Sequence, residues 1–171
     1  MSHERVQAKP PSYVAIENLI ATYAELVDHG DFTAVGVLLQ QATFTGGAGT
    51  VSGRSAIEEM LRENVIVYED GTPRTKHITT NVVIEVDEDA GTAAARSYFT
   101  VLQALPELSL QPIASGRYRD RFEYRDGEWR FVERCVRTDL VGNLSQEWGY
   151  FWHNGRKVVF FILETGPVRT P

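Results

Sequence analysis

Cysteine is almost missing from this 171-residue chain: Cys135 is the only one. An internal disulfide is therefore impossible, and nothing in the cysteine usage points to an oxidising compartment. Basic charge is also in short supply, with 17 Lys and Arg against 23 Asp and Glu and a formal net charge of −6. A phosphate-binding surface needs clustered Lys and Arg. Here they are interleaved with other residues, as in Arg117-Tyr118-Arg119-Asp120-Arg121, so no nucleic-acid partner is expected. Long apolar runs are missing too. The longest, residues 158–163, has six members, against about 20 for a bilayer span, so no membrane partner is expected. The opening MSHERVQAKPPS has no apolar core of the kind a signal peptide requires, which makes a cytoplasmic location the expectation. Gly-x-Gly-x-x-Gly after a strand, a phosphate loop and a Gly-x-Ser-x-Gly elbow are all missing. His3, His29, His77 and His153 show no metal-ligand spacing. No cofactor and no metal are expected.

What remains is ordinary globular composition, with 43% hydrophobic and 11% aromatic residues, long enough to bury one core. Residues 1–11 read as a flexible lead-in ending at Pro10-Pro11. From Ser12, a candidate N-cap, Ile16, Leu19, Ile20, Tyr23 and Val27 fall on one helical stripe. Gly30 supplies a stop, and Asp31 caps a short helix through Val35, Leu38 and Leu39. A strand at 42–45, a glycine turn and a second short strand lead to a third helix from Gly53, with Ile57, Met60, Leu61 and Val65 inward. After Gly71-Thr72-Pro73 the period changes to two, and four long runs follow at 76–88, 92–105, 112–125 and 128–140. Turn signals separate them. Helices followed by an antiparallel meander predict an α+β fold, with the helices on one face of a curved sheet. Residues 144–171 form an aromatic-rich extension.

The strand RTKHITTNVVIEV holds the first candidate for chemistry. Read by twos, Ile78, Thr80, Val82, Ile84 and Val86 form the packed face, and His77, Thr79 and Asn81 form a polar one. A histidine at a strand start is commonly a surface or hydrogen-bonded core residue. In a pocket, its imidazole is a proton acceptor that titrates near neutral pH. Asp28 sits at the end of the first helix, where a negative charge costs about 0.3–1 kcal/mol at an exposed site. It reads either as a solvated aspartate or as a carboxylate aimed at His77 to fix its tautomer. Tyr23 is first a core position, but its hydroxyl must find a partner if buried. It lies five residues before Asp28, about 140° around the helix. Arg134 and Arg137 lie on opposite faces of the last meander strand. Arg137 shares a face with Trp129, Phe131 and Cys135, which makes it the weaker candidate for the inside. Cys135 reads as a small core residue.

Residues 23–32 (YAELVDHGDF), 42–44 (ATF), 76–84 (KHITTNVVI), 115–122 (SGRYRDRF) and 126–131 (DGEWRF) resemble the SnoaL-like branch of the nuclear transport factor 2-like superfamily. The likeness runs from about residue 12 to 143. It implies a cone-shaped α+β barrel, with N-terminal helices packed on a strongly curved, mainly antiparallel sheet around a pocket. Members such as scytalone dehydratase, hexachlorocyclohexane dehydrochlorinase and bile acid 7α-dehydratase are cofactor-free lyases. The resemblance assigns His77 as base, Asp28 as its support and Tyr23 as binder or proton donor. Asn81, Thr79, Arg134, Arg137, Phe44 and Trp129 fall to substrate binding. It implies a lyase or isomerase acting on a small, apolar, cyclic molecule, working as a homodimer or homotrimer. The extension from 144 would cover the pocket or an interface. Two other functions keep the same fold: a non-catalytic small-molecule-binding domain, and the small structural subunit of a ring-hydroxylating dioxygenase.

Overall fold

Helix α1 (Ser12–Asp28) buries the stripe Ile16, Ile20, Tyr23, Ala24 and Val27. Each of the larger side chains, fully removed from water, contributes about 1.5–3 kcal/mol. The computed structural model describes residues 9–47, 49–106 and 108–142, with two two-residue strands in the tail. Pro11, not Ser12, is the N-cap of α1, and no side chain caps it. The Ser12 hydroxyl is instead engaged with Glu88, at 2.9 Å. Asp31 does cap α2 (Phe32–Leu38), accepting from the Ala34 N–H at 2.9 Å. Helix α3 (Arg54–Asn64) follows the short strands β1 (Thr43–Gly46) and β2 (Gly49–Ser52).

The meander supplies β3 (Thr75–Asp87), β4 (Thr92–Leu105), β5 (Leu108–Arg125) and β6 (Glu128–Val141). One curved, six-stranded sheet results, in the order β2-β1-β6-β5-β4-β3. Only β1 against β6 is parallel. The three helices close the concave side, so this is the α+β arrangement that the change of period predicts. In the tail, β7 (Trp152–His153) pairs with β8 (Arg156–Lys157). Whether the rest of 144–171 covers the pocket or an interface lies outside the described residues. Among the described residues, no helix is long and apolar enough to cross a membrane.

Two bulges correct the reading of strand faces. In β3, Thr80 pairs with Tyr98 and Val83 with Arg96, so Asn81 and Val82 together oppose Ser97. Asn81 takes the left-handed backbone conformation, φ 53°. An extra residue flips every later side chain to the other face. Thr75, His77 and Thr79 therefore point inward before the bulge, and Val82, Ile84 and Val86 point inward after it. Ile78, expected on the packed face, is 44% exposed. In β6, Phe122 pairs with Phe131 and Arg121 with Glu133, which leaves Val132 as the extra residue. Trp129 and Phe131 face the core before it, and Arg134 does so after it.

Candidate active site

The site begins where α1 stops. Gly30 follows with φ 71°, and a Cβ there would stand 2.5 Å from the Gly71 carbonyl oxygen. This close approach, open only to glycine, seats the chain just before β3 against the end of α1. Asp28, the last residue of the helix, is thereby brought to the first residues of the strand.

Asp28 is buried and accepts three hydrogen bonds. Its Oδ1 takes the Thr75 hydroxyl at 2.8 Å and meets His77 Nδ1 at 2.6 Å, while Oδ2 takes the His77 backbone N–H at 2.8 Å. Burial on its own would raise the carboxyl pKa. The side-chain bond and charge of His77, its backbone N–H and Thr75 outweigh it and hold Asp28 below the usual aspartate value. An ionised carboxylate can only accept, so His77 Nδ1 must carry a hydrogen. When the ring is neutral, Nε2 therefore keeps its lone pair, on a residue that lines the cavity.

That cavity is bounded by Tyr23 and Val27 from α1, Phe44 from β1, Leu61 from α3, Phe99 and Val101 from β4, and Tyr118 from β5. His77, Thr75 and Thr138 supply most of its other polarity. Its free volume is about 70 Å³. Tyr23 and Tyr118 meet edge to face, with ring centroids 6.2 Å apart. Burial raises the pKa of both phenols, against the lowering effect of Arg134, so both remain neutral donors. Neither hydroxyl is hydrogen-bonded among the described residues.

Arg134 is fully buried behind these rings. Its guanidinium carbon lies 3.8 Å from the centroid of Tyr23 and 4.1 Å from that of Tyr118, close enough for a strong cation–π contact with each. Asp120 is its charge partner, with Nε 3.7 Å from Oδ1. That is an ion pair by distance but too long for a hydrogen bond. Desolvation therefore prevails over the neighbouring cation, and the Asp120 pKa is pushed up to about 6.

The structure thus brings together His77, Asp28, Tyr23 and Phe44, with Arg134 beneath the tyrosines. Thr79 faces inward one step deeper than His77 and is not part of the cavity wall. The remaining three stand elsewhere. Asn81 is exposed at its bulge. Arg137 is exposed and sits beside Asp139, 3.5 Å away. Trp129 packs on Tyr124, centroids 5.5 Å apart, far along β6 from the cavity. Strict alternation had placed Asn81 with His77 and Trp129 with Arg137, and the bulges undo both pairings. Thr75, Tyr118, Ser97 and Asp120 escaped the sequence reading. For Tyr118 and Asp120 a signal existed, since they alternate with three arginines whose charges belong outside. Among the described residues, no group of three or more His, Cys, Asp and Glu could hold a metal ion.

Comparison with known proteins agrees with this architecture. The chain resembles a nuclear transport factor 2-like protein with a cystatin-like fold from Novosphingobium aromaticivorans, at 23% identity and TM-score 0.61. The match covers 72% of this chain and 79% of that one. A protein of the same organism assigned as a scytalone dehydratase is 21% identical, with TM-score 0.62 and coverage of 77% and 86%. The β subunit assigned to an aromatic-ring-hydroxylating dioxygenase of that organism is 16% identical, with TM-score 0.61 and coverage of 75% and 90%. Likeness at these identities shows a shared fold and no more. No curated protein matches the chain. The sequence profile of the SnoaL-like domain matches residues 11–135, which is most of the chain, and the protein belongs to the SnoaL-like family of the nuclear transport factor 2-like superfamily.

Proposed function

We propose that the protein is a cofactor-independent lyase of the dehydratase type, or an isomerase, acting on a small, largely apolar cyclic substrate. One observation carries this reading: a buried carboxylate holds an imidazole by its Nδ1 at the wall of a mainly apolar cavity. His77 Nε2 takes a proton from a substrate carbon, and the electron pair of the broken C–H bond forms the new double bond. Asp28 stabilises the imidazolium that results. In a dehydration the adjacent C–O bond breaks, and the Nε2 proton passes to the departing oxygen, so that water leaves and the imidazole is restored. In an isomerisation the proton returns to another carbon. Tyr23 donates to a substrate oxygen, and Tyr118 stands beside it as a second neutral donor.

General-base catalysis supplies about 10²–10⁴-fold, so orientation and the fixed dipoles of the mainly apolar cavity provide the rest. The cavity volume adds a condition. At about 70 Å³ it is smaller than the roughly 150 Å³ that accepts benzene in an engineered apolar cavity. A ring therefore enters only as lining side chains such as Leu61 and Val65 give way.

The test is proton exchange. Cyclic hydroxy ketones incubated with the protein in D₂O should take up deuterium at the carbon beside the carbonyl, or lose water to give the enone. His77→Ala should do neither. Exchange at equal rates in both proteins contradicts the reading. So does a ligand that binds both proteins equally while neither turns it over, an outcome that favours a non-catalytic binding domain.

A further inference from the structure

The inner face of the sheet carries a second polar group that the proposed chemistry does not use. Thr79 on β3, Ser97 on β4, Asp120 on β5 and Arg134 on β6 come from four successive strands. In register, Thr79 faces Phe99, two residues past Ser97; Ser97 faces Tyr118, two residues before Asp120; and Asp120 faces Arg134 directly. The four form a diagonal staircase across the concave side. Each stands two residues along its strand from a cavity-lining residue: His77, Phe99, Tyr118 and Val136 respectively. The staircase is thus the layer of the sheet immediately beneath the cavity.

Its polar atoms are sealed from solvent, and none makes a hydrogen bond among the described residues. Among the described residues, Thr79 Oγ1, Ser97 Oγ, both carboxylate oxygens of Asp120, and Nε, Nη1 and Nη2 of Arg134 have no hydrogen-bond partner. Buried polar groups in native proteins are rarely left in this condition. Asp120 and Arg134 face each other directly but stand 3.7 Å apart at Oδ1 and Nε, too far for a hydrogen bond. The spacing explains why Thr79, Ser97 and Asp120 do not satisfy one another. Diagonal neighbours on a sheet stand roughly 7–8 Å apart at Cα, beyond the reach of Ser and Thr hydroxyls. One water molecule making two bonds of about 2.8 Å spans roughly 5.5 Å. Buried water typically joins about three otherwise unsatisfied polar groups, and this staircase offers both donors and acceptors.

We propose that the staircase is a built site for ordered water, with one or more molecules bridging Thr79, Ser97, Asp120 and Arg134. The hydrated layer holds the Arg134 guanidinium between Tyr23 and Tyr118, which makes Arg134 a positioning residue for the two phenols of the cavity. The guanidinium lies on both rings, 3.8 and 4.1 Å from their centroids, so whatever fixes it fixes them. The inference concerns the layer under the cavity and stands independently of the catalytic reading.

The test uses the full chain labelled with 3-fluorotyrosine. Tyr23→Phe and Tyr118→Phe assign the two fluorine resonances, and water-to-protein Overhauser transfer reports long-lived internal water beside a crystal structure at atomic resolution. The wild type should show water bonded to Arg134 and Asp120. Ser97→Ala should lose a bridging water and shift or broaden the resonances of Tyr23 and Tyr118, leaving the other tyrosines alone. Asp120→Asn, which keeps hydrogen-bonding capacity, should retain both the water and the resonances. A dry layer with Arg134 bonded directly to Asp120 overturns the proposal. So does a Ser97→Ala protein with unchanged water and unchanged resonances. The paired replacement Asp120→Leu with Arg134→Met should empty the site and free both rings. If it does not fold, Ser97→Ala alone decides.

Discussion

Two acid–base pairs, one partly and one fully buried, lie on the inner side of one sheet, and they behave in opposite ways. Asp28 with His77 is bonded throughout, and its carboxyl pKa is held down although burial pushes it up. Asp120 with Arg134 has a permanent cation 3.7 Å away, yet its carboxyl is pushed up to about 6. Charge proximity alone does not decide the outcome. Donors aimed at the carboxylate do, because each replaces a bond to water that burial removed. The dyad comes from two elements that meet end to end, where backbone and side-chain donors converge on one carboxylate. The second pair comes from facing positions on neighbouring strands, where side chains stand parallel and donors do not converge.

The comparison breaks most visibly at the dyad. His77→Ala and Asp28→Asn should each lower turnover by about 10²–10⁴-fold, with a native circular dichroism spectrum. In Asp28→Asn the amide can turn its NH₂ toward Nδ1 and stabilise the wrong tautomer. Loss of turnover together with loss of fold would mean that the pair is structural. Next comes the second pair. Arg134→Ala leaves Asp120 buried without a counter-ion and should cost about 3–5 kcal/mol in urea unfolding. Asp120→Leu with Arg134→Met should be neutral or stabilising by about 1–4 kcal/mol. A paired replacement as damaging as the single one would show that the ions stabilise the fold as ions.

The pH dependence of stability separates the two acids, because their signs differ. The folded pKa of Asp120 lies above its unfolded value of 3.8. The folded state therefore binds its proton more tightly, and stability falls as pH rises from about 4 through 6. Over about two pH units at about 1.4 kcal/mol each, the loss approaches 3 kcal/mol. Asp28, with its folded pKa below 3.8, contributes stability above that value and loses it as pH falls further. Urea midpoints of Asp120→Asn should match wild type near pH 4 and exceed it by pH 7. A wild type that gains on the variant over that range contradicts the assignment. The smallest effect is expected at Asn81, which stands outside both pairs. Asn81→Gly suits the positive φ and should change stability by a few tenths of a kcal/mol. Its turnover should equal wild type, and a fall of tenfold would return Asn81 to the site.

Much of this was legible in the sequence. The helical stripe of α1, the Gly30 stop, the Asp31 cap and the four meander strands follow from periodicity and turn chemistry. What was illegible traces to register. Strand faces were read by strict alternation, and the bulges at Asn81 and Val132 each insert one residue that no hydrophobic pattern announces. Asn81 carried a faint signal, since asparagine tolerates the left-handed region better than most residues. Val132 carried none. The consequence was an Ile78 expected on the packed face that stands in solvent. Arg134, the stronger of the two arginine candidates for the inside, is buried, but its place between two tyrosines depends on the shifted register. The water-bridging staircase depends on the register of four strands at once, which local sequence does not encode.

The most direct test of the central claim needs no substrate. With imidazole ¹⁵N labelling, the His77 ring can be read at a pH where it is neutral. The account predicts a hydrogen on Nδ1 and a bare Nε2, with the pattern lost in Asp28→Asn. A neutral ring carrying its hydrogen on Nε2 would leave no lone pair facing the cavity, and His77 could not then be the base.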